Sequence, residues 1–146
     1  MSRVALLDVN VLIALFDPDH VHHEAAHRWF GKHRTQGWAT CPVTENAVVR
    51  IMSTPAYADP PETPANMIVR LQQFCASGGH EFWPADFTIR DLRSAEGHAL
   101  ANKQITDIYL LTLARHRNGR LATFDRSIPL DGVAGATSRH LEIIPA

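Results

Sequence analysis

The 146-residue sequence has little of several features that would mark a specialised class of protein. It contains two cysteines, Cys41 and Cys75, in apolar segments without metal-ligand spacing, so two buried and reduced thiols are expected. Lysine is nearly absent, and the net charge of −1 excludes an overall basic field directed at nucleic acid. No stretch has the length and apolarity of a membrane span, and Asp8 and Asn10 interrupt the apolar N-terminus. A cytoplasmic protein without a membrane segment is therefore expected.

The sequence does contain a regular alternation of short apolar runs and amphipathic segments. Strands are predicted at residues 4–7, 38–41, 81–83 and 121–124, with an edge strand at 141–144. Helices are predicted at residues 11–16, 20–34, from 42 or 44 to 51, 64–77 and 104–117, with a short helix at 89–95. This alternation predicts an α/β fold with a mainly parallel central sheet of four to five strands flanked by helices. No internal repeat or boundary divides residues 1–146, so a single domain is expected.

Four acidic residues fall where the predicted strands end or where the next helices begin. Asp8 and Asp125 directly follow strands, whereas Glu45 and Asp107 lie near the starts of helices. Ligands of open α/β sheets bind beyond the carboxyl ends of the strands, so all four carboxylates are expected to converge there. Each acid alone also fits an ordinary helix cap or turn, and only their combination points to a site.

Clustered carboxylates indicate a particular chemistry. Bringing such charges together costs several kcal/mol of desolvation and repulsion unless protons or a metal ion compensate them. Oxygen ligands select hard cations, so Mg²⁺ is expected, with Mn²⁺ as a substitute. The acids therefore predict phosphoester chemistry in which a metal ion activates a water molecule and stabilises the leaving oxygen.

Four segments, LLDVNVLIAL, TEN, TDIYLLTLA and LATFD, resemble in order and spacing the acidic motifs of PIN-domain ribonucleases. The resemblance extends from residue 3 to residue 125 and is strongest to the VapC toxins of bacterial toxin–antitoxin pairs. It implies a single PIN-like domain and a metal-dependent endoribonuclease that cuts RNA. It also implies a homodimer and a VapB-type antitoxin whose C-terminal segment covers the active site.

The resemblance assigns the metal ligands by position: Asp8, Glu45, Asp107 and Asp125. These acids would hold one or two Mg²⁺ ions and help orient the water that attacks the scissile phosphate, leaving a 5′-phosphate and a 3′-hydroxyl. Asn10 and Thr123 match neighbouring polar positions and receive supporting roles, although a turn amide and a strand hydroxyl would explain them equally well. Four arginines are candidates for RNA phosphate contacts or for a solvated face: Arg50, Arg115, Arg117 and Arg126.

The histidine-rich segment at residues 20–33 suggests a different enzyme. The letters HEAAH, from His23 to His27, fit the H-E-x-x-H pattern of zinc peptidases. Phe30 stands where the longer motif of those enzymes has glycine, and His33 would lie well around the helix from His27. We therefore expect His23 and His27 to face solvent. The residues expected to pack inward are Val21, Ala25 and Trp29.

A third interpretation is a non-catalytic PIN-like module that binds RNA or a partner protein. Such a module would have lost one or more of the four acids, and all are present, so the sequence favours the enzyme. The target RNA, the number of metal ions and the identity of the antitoxin are not encoded in readable motifs. The helices at residues 20–34 and 64–77 are candidates for the dimer interface, but core packing explains their apolar faces equally well.

Overall fold

A computed structural model describes residues 4–93 and 101–146. The strands are β1 (Ala5–Leu7), β2 (Trp38–Thr40), β3 (His80–Phe82), β4 (Arg120–Thr123) and β5 (Leu141–Ile143). The α-helices are α1 (Val9–Phe16), α2 (His23–His33), α3 (Pro42–Met52), α4 (Pro64–Cys75) and α5 (Ile105–His116). The short helix expected at residues 89–95 corresponds to a 3₁₀ turn at Ile89–Asp91, and its residues 94 and 95 lie outside the described part of the chain.

The five strands form one parallel sheet in the order β3-β2-β1-β4-β5. β1 lies at its centre, and Leu7 pairs in register with Ala122 of β4. The backbone N–H of Asp8 continues this pairing and donates to the Ala122 carbonyl at 3.0 Å. The carboxyl ends of β1 and β4 therefore lie side by side, and the predicted α/β fold with a parallel sheet is confirmed.

Side chains of the central strands are buried on both faces of the sheet. Ala5 and Leu7 pack into a core shared with α1, α2, α3 and α4, whereas Val4 and Leu6 point into a second core on the side of α5. Double-sided burial explains why these strands are uninterrupted apolar runs in the sequence and do not alternate with polar residues. Among the helices of the described residues, none is both long and apolar enough to cross a membrane.

The start of α2 differs from the prediction. The helix begins at His23 instead of residue 20, and Val21, which was expected to pack inward, is 86% exposed. The reason is a turn in which the His20 N–H donates to the Asp17 carbonyl and the His23 N–H donates to the His20 carbonyl. The remaining stripe of the helix follows the prediction, because Ala25 and Trp29 are buried.

Candidate active site

Asp8 is the most deeply buried acid of the candidate site, with 5% of its surface exposed. It follows β1 and caps α1, so its Oδ1 accepts a hydrogen bond of 2.7 Å from the Val9 N–H. Its Oδ2 accepts a second hydrogen bond of 2.8 Å from the Thr123 hydroxyl. Burial raises the pKa of the Asp8 carboxyl, the two hydrogen bonds lower it in part, and the charge of Asp125 raises it further. The carboxylate is thus held in a fixed orientation while its charge is poorly solvated.

Asp107 and Asp125 approach Asp8 from α5 and from the end of β4. Asp107 lies in the first turn of α5, and burial, followed by the charges of Asp8 and Asp125, raises its pKa to about 6. The Asp125 side chain accepts hydrogen bonds at Oδ1 from the Ser127 N–H at 2.8 Å and the Ser127 hydroxyl at 2.6 Å. Asp8, Asp107 and Asp125 together form the acid trio. Their mutual repulsion favours a bound cation.

Thr123 connects the acid trio to the strand ends. This residue is fully buried, and its hydroxyl donates to Asp8 while accepting from the Asn10 side-chain amide at 3.1 Å and from the Asp125 N–H at 3.0 Å. A hydroxyl has one donor and two acceptor positions, so all three are used. Asn10 also accepts a hydrogen bond from the Phe124 N–H at 3.2 Å. Asn10 and Thr123 therefore order the polypeptide around the acids, and their supporting role in the reaction stays a prediction.

Glu45 does not join the other acids in this structure. Its Oε2 accepts a hydrogen bond of 2.6 Å from the Thr40 hydroxyl at the end of β2, and the Thr40 oxygen lies 2.7 Å from Nε2 of His80. The charges that raise the pKa of Asp107 come from Asp8 and Asp125. The structure thus brings together three of the four predicted acids, and the metal-binding role of Glu45 stays a prediction.

Glu45 instead forms a Cys–His–Glu cluster with Cys75 and His80, whose donor atoms all lie within 4.8 Å of one another. Among residues 4–93 and 101–146, no other set of three or more potential metal donors lies so close together. The carboxylate oxygens of the acid trio are farther apart than this. Burial and the charge of Glu45 raise the pKa of the Cys75 thiol, whereas burial lowers the pKa of His80. Both side chains are therefore neutral near pH 7 in the metal-free protein.

The sequence analysis missed this cluster. Cys41 is buried as expected, but Cys75 is only half-buried, because it lies at the C-terminal end of α4 beside His80 at the start of β3. The four-residue gap between Cys75 and His80 was the available signal, since local Cys and His ligand pairs in zinc sites have similar gaps. Glu45 could be added only from the fold, because β3 pairs with β2.

A cavity of about 920 Å³ opens next to the Cys–His–Glu cluster. Its walls come from α3, α4 and β3, and they include Arg50 and the exposed apolar residues Ile68 and Phe82. The cavity is therefore largely apolar away from the cluster and has one positively charged side chain, Arg50, on its wall.

The four candidate arginines separate into two pairs. Arg50 lines the cavity beside Glu45, and Arg126 is exposed directly after Asp125. Arg115 and Arg117 lie eight and ten residues beyond Asp107 on or just after α5, which places them roughly 12–15 Å along the helix axis from it. Arg117 also donates to Asp86 at 3.1 Å. Arg50 lies near Glu45 and Arg126 lies next to Asp125, so these two arginines are favoured as phosphate contacts.

His23 and His27 hold the end of α1. The Nδ1–H of His23 donates to the Ala14 carbonyl at 2.7 Å, and the Nε2–H of His27 donates to the Leu15 carbonyl at 2.9 Å. Carbonyls in the last turn of a helix lack partners within the helix. Capping these carbonyls gives His23 and His27 a structural role that requires no metal ion. The expected solvent exposure is correct for His27 and wrong for His23, which is half-buried against α1.

The raised pKa of Asp107 predicts a pH-dependent stability. We expect metal-free Asp107→Asn to be more stable than the wild type above about pH 6, by roughly 1 kcal/mol, with the difference shrinking towards pH 4. The folded wild type binds more protons than the unfolded chain between pH 3.8 and about 6, so its free energy of unfolding falls as the pH rises through that window. The full shift would correspond to about 3 kcal/mol, and solvent screening of this half-exposed carboxyl reduces it to roughly 1.

Urea unfolding in EDTA across this pH range would measure the effect. Asp131→Asn is the matched control, because Asp131 is exposed, lies in the 3₁₀ turn Leu130–Gly132 and is not among the charges that raise the pKa of Asp107. Parallel pH profiles for the wild type and Asp107→Asn would mean that Asp107 titrates at its ordinary value and that the acids do not repel one another.

Comparison with known proteins gives a consistent set of relatives. The family model described as PIN domain matches residues 5–134. Ribonuclease VapC44 of Mycobacterium tuberculosis (strain ATCC 25618 / H37Rv) is 46% identical over 138 residues, covering 94% of this chain and 96% of that protein. Ribonuclease VapC39 of the same strain is 44% identical over 132 residues, covering 90% and 95%. Ribonuclease VapC38 of that strain is 40% identical over 125 residues, covering 86% and 87%.

Proposed function

The chain belongs to the PIN-domain family, and we propose that it is a Mg²⁺-dependent endoribonuclease acting as the toxin of a toxin–antitoxin pair. The acid trio is the observation that carries the proposal. It combines two carboxylates at adjacent strand ends, Asp8 and Asp125, with Asp107 in the first turn of α5, and burial together with the charges of the other two raises the pKa of Asp107 to about 6. The names of the relatives VapC44, VapC39 and VapC38, all ribonucleases, support RNA as the substrate.

The donor set of the acid trio fits Mg²⁺. Its potential ligands are carboxylate oxygens, which hard cations prefer, and it contains no thiol or imidazole that would favour zinc. Asp8, Asp107 and Asp125 would hold the ion, with Glu45 as a fourth ligand after its side chain leaves Thr40. Such an ion, or Mn²⁺ in its place, would supply an activated water molecule and neutralise charge on the phosphate.

The chain's own residues prepare this site in three ways. Thr123 and the Val9 N–H fix both oxygens of Asp8, so that its orientation does not need to be set during the reaction. Asp107 lies where the charges of Asp8 and Asp125 oppose its own, so that a bound cation relieves this repulsion. Arg126, which directly follows Asp125, would contact the RNA backbone, since one guanidinium group can donate two hydrogen bonds to the same phosphate. The expected products are a 5′-phosphate and a 3′-hydroxyl.

The toxin role adds a protein partner and a homodimer to the proposal. A VapB-type antitoxin would inhibit the enzyme by covering the active site with its C-terminal segment. For the dimer, α4 is favoured over α2, because Ile68 and Val69 on α4 are exposed apolar side chains, whereas the exposed face of α2 carries His27 and Arg28. Both partners, like the substrate, are consistent with a cytoplasmic protein.

We expect the purified wild type to cleave a structured RNA pool in Mg²⁺ and to lose that cleavage completely in EDTA. The products, sequenced from both ends, should carry 5′-phosphates. Induced expression of the wild type should arrest bacterial growth, whereas expression of Asp8→Asn at the same level should not. A wild type that binds RNA but neither cleaves it nor arrests growth would instead support the non-catalytic RNA-binding module.

A further inference from the structure

The Cys–His–Glu cluster places beside Glu45 two metal-binding side chains, Cys75 and His80, for which the proposed nuclease mechanism has no use. Its three donors come from α3, α4 and β3, and Thr40 lies behind them as a fully buried residue. The Thr40 hydroxyl donates to Glu45, and its oxygen also lies within hydrogen-bond distance of His80 Nε2. The donor atoms of Glu45, Cys75 and His80 are already within 4.8 Å of one another.

We propose that Glu45, Cys75 and His80 bind a zinc ion. A thiolate and an imidazole together select zinc over Mg²⁺, and one carboxylate completes a ligand set that is common for zinc. A tetrahedral ion with bonds of about 2.0–2.3 Å holds its ligand atoms roughly 3.3–3.6 Å apart, so the donor atoms would close by at most about 1.5 Å. The adjacent cavity leaves the fourth position open to water or to a small ligand.

Zinc at this position regulates the nuclease through Glu45, and this step rests on the proposed function. Glu45 is the acid that the proposed nuclease would use as its fourth ligand, but in this structure its carboxylate is hydrogen-bonded to Thr40 and belongs to the Cys–His–Glu cluster. Zinc binding would fix Glu45 in that position. The acid trio would then bind Mg²⁺ without its fourth carboxylate, and RNA cleavage would slow.

Cobalt titration of the purified full-length chain tests the site without measuring activity. Wild type should develop thiolate-to-cobalt charge-transfer absorption and visible d–d bands, and stoichiometric zinc should abolish both. Cys75→Ser should lose the charge-transfer band and bind zinc at least about tenfold more weakly, and His80→Gln should show the same loss of affinity. Cys41→Ser is the matched control, because Cys41 is fully buried, caps α3 and lies outside the cluster.

The paired substitution His23→Gln and His27→Gln removes the other local histidine pair and should leave the cobalt spectrum unchanged. Zinc should also protect Cys75 of the wild type from alkylation, which tests the site even where a variant fails to fold. The proposal is overturned if the wild type shows no thiolate-to-cobalt band and no protection of Cys75. An undiminished band in folded Cys75→Ser would overturn it equally.

The regulatory step is tested by RNA cleavage at saturating Mg²⁺ with increasing zinc. Zinc should inhibit the wild type, and the fractional inhibition of Cys75→Ser, relative to its own zinc-free rate, should be much smaller. Equal inhibition of both proteins would place the inhibitory zinc in the acid trio and overturn this step. A cobalt spectrum without any RNA cleavage would contradict the proposed function and still support the zinc site. RNA cleavage without the cobalt spectrum would support the proposed function and contradict the zinc site.

Discussion

Asp107→Asn is expected to lower the rate of Mg²⁺-dependent RNA cleavage by roughly 10²- to 10³-fold or more, the range seen when one preorganised charge-stabilising group is removed. The substitution keeps the size of the side chain but removes the charge that Asp8 and Asp125 oppose. It thereby weakens metal binding and removes one of the carboxylates that would orient the attacking water. Single-turnover cleavage of a defined RNA across a Mg²⁺ series would measure both effects.

The same variant is expected to be more stable than the wild type when metal is absent. Lower activity combined with higher stability distinguishes the loss of a metal ligand from misfolding. A loss of activity caused by misfolding would come with a loss of stability, whereas removal of a repelled carboxylate raises stability and lowers activity together. Asp131→Asn should leave both properties unchanged, because Asp131 is exposed and contributes nothing to the pKa of Asp107. Wild-type cleavage rates for Asp107→Asn would mean that the acid trio is not the metal site.

The fold was predictable because the residues that determine it carry local signals. Val4 to Leu7 form an unbroken apolar run, and such a run is required where alternate side chains enter different cores. The error at α2 has an equally local cause. The Asp17 side chain accepts a hydrogen bond from the Asp19 N–H at 2.9 Å, and this turn overrides the helical spacing that made Val21 look inward-facing.

The candidate site was predictable only as far as strand ends determine it. Asp8 and Asp125 follow neighbouring parallel strands, so their proximity follows from the topology, and Asp107 lies in the first turn of the helix that leads into β4. The position of the Glu45 side chain depends on Thr40 and His80, and the pairing of β2 with β3 brings those two together. No sequence pattern specifies that β3 lies beside β2, so neither the separation of Glu45 nor its cluster with Cys75 could be derived.

Thr123→Val is expected to weaken Mg²⁺ binding by about 10- to 100-fold, although Thr123 is not a candidate ligand. Valine has the shape of threonine but no hydroxyl, so Asp8, Asn10 and the Asp125 N–H each lose a partner in a fully buried position. The pKa of Asp8 should rise further, because the hydrogen bond from Thr123 lowers it in the wild type. The unsatisfied groups should also lower the free energy of unfolding by about 1–3 kcal/mol.

Two further substitutions separate the positioning of Asp8 from a general loss of stability. Thr123→Ser keeps the hydroxyl and should restore most of the Mg²⁺ affinity, measured as the increase in unfolding free energy with added Mg²⁺. Thr112→Val removes a hydroxyl that donates to the Ile108 carbonyl within α5, and it should leave that affinity unchanged. If Thr123→Val lost stability but kept its response to Mg²⁺, Thr123 would be a packing residue of the strand end. A loss that serine reverses would instead show that a buried hydroxyl orients the carboxylate on which metal binding depends.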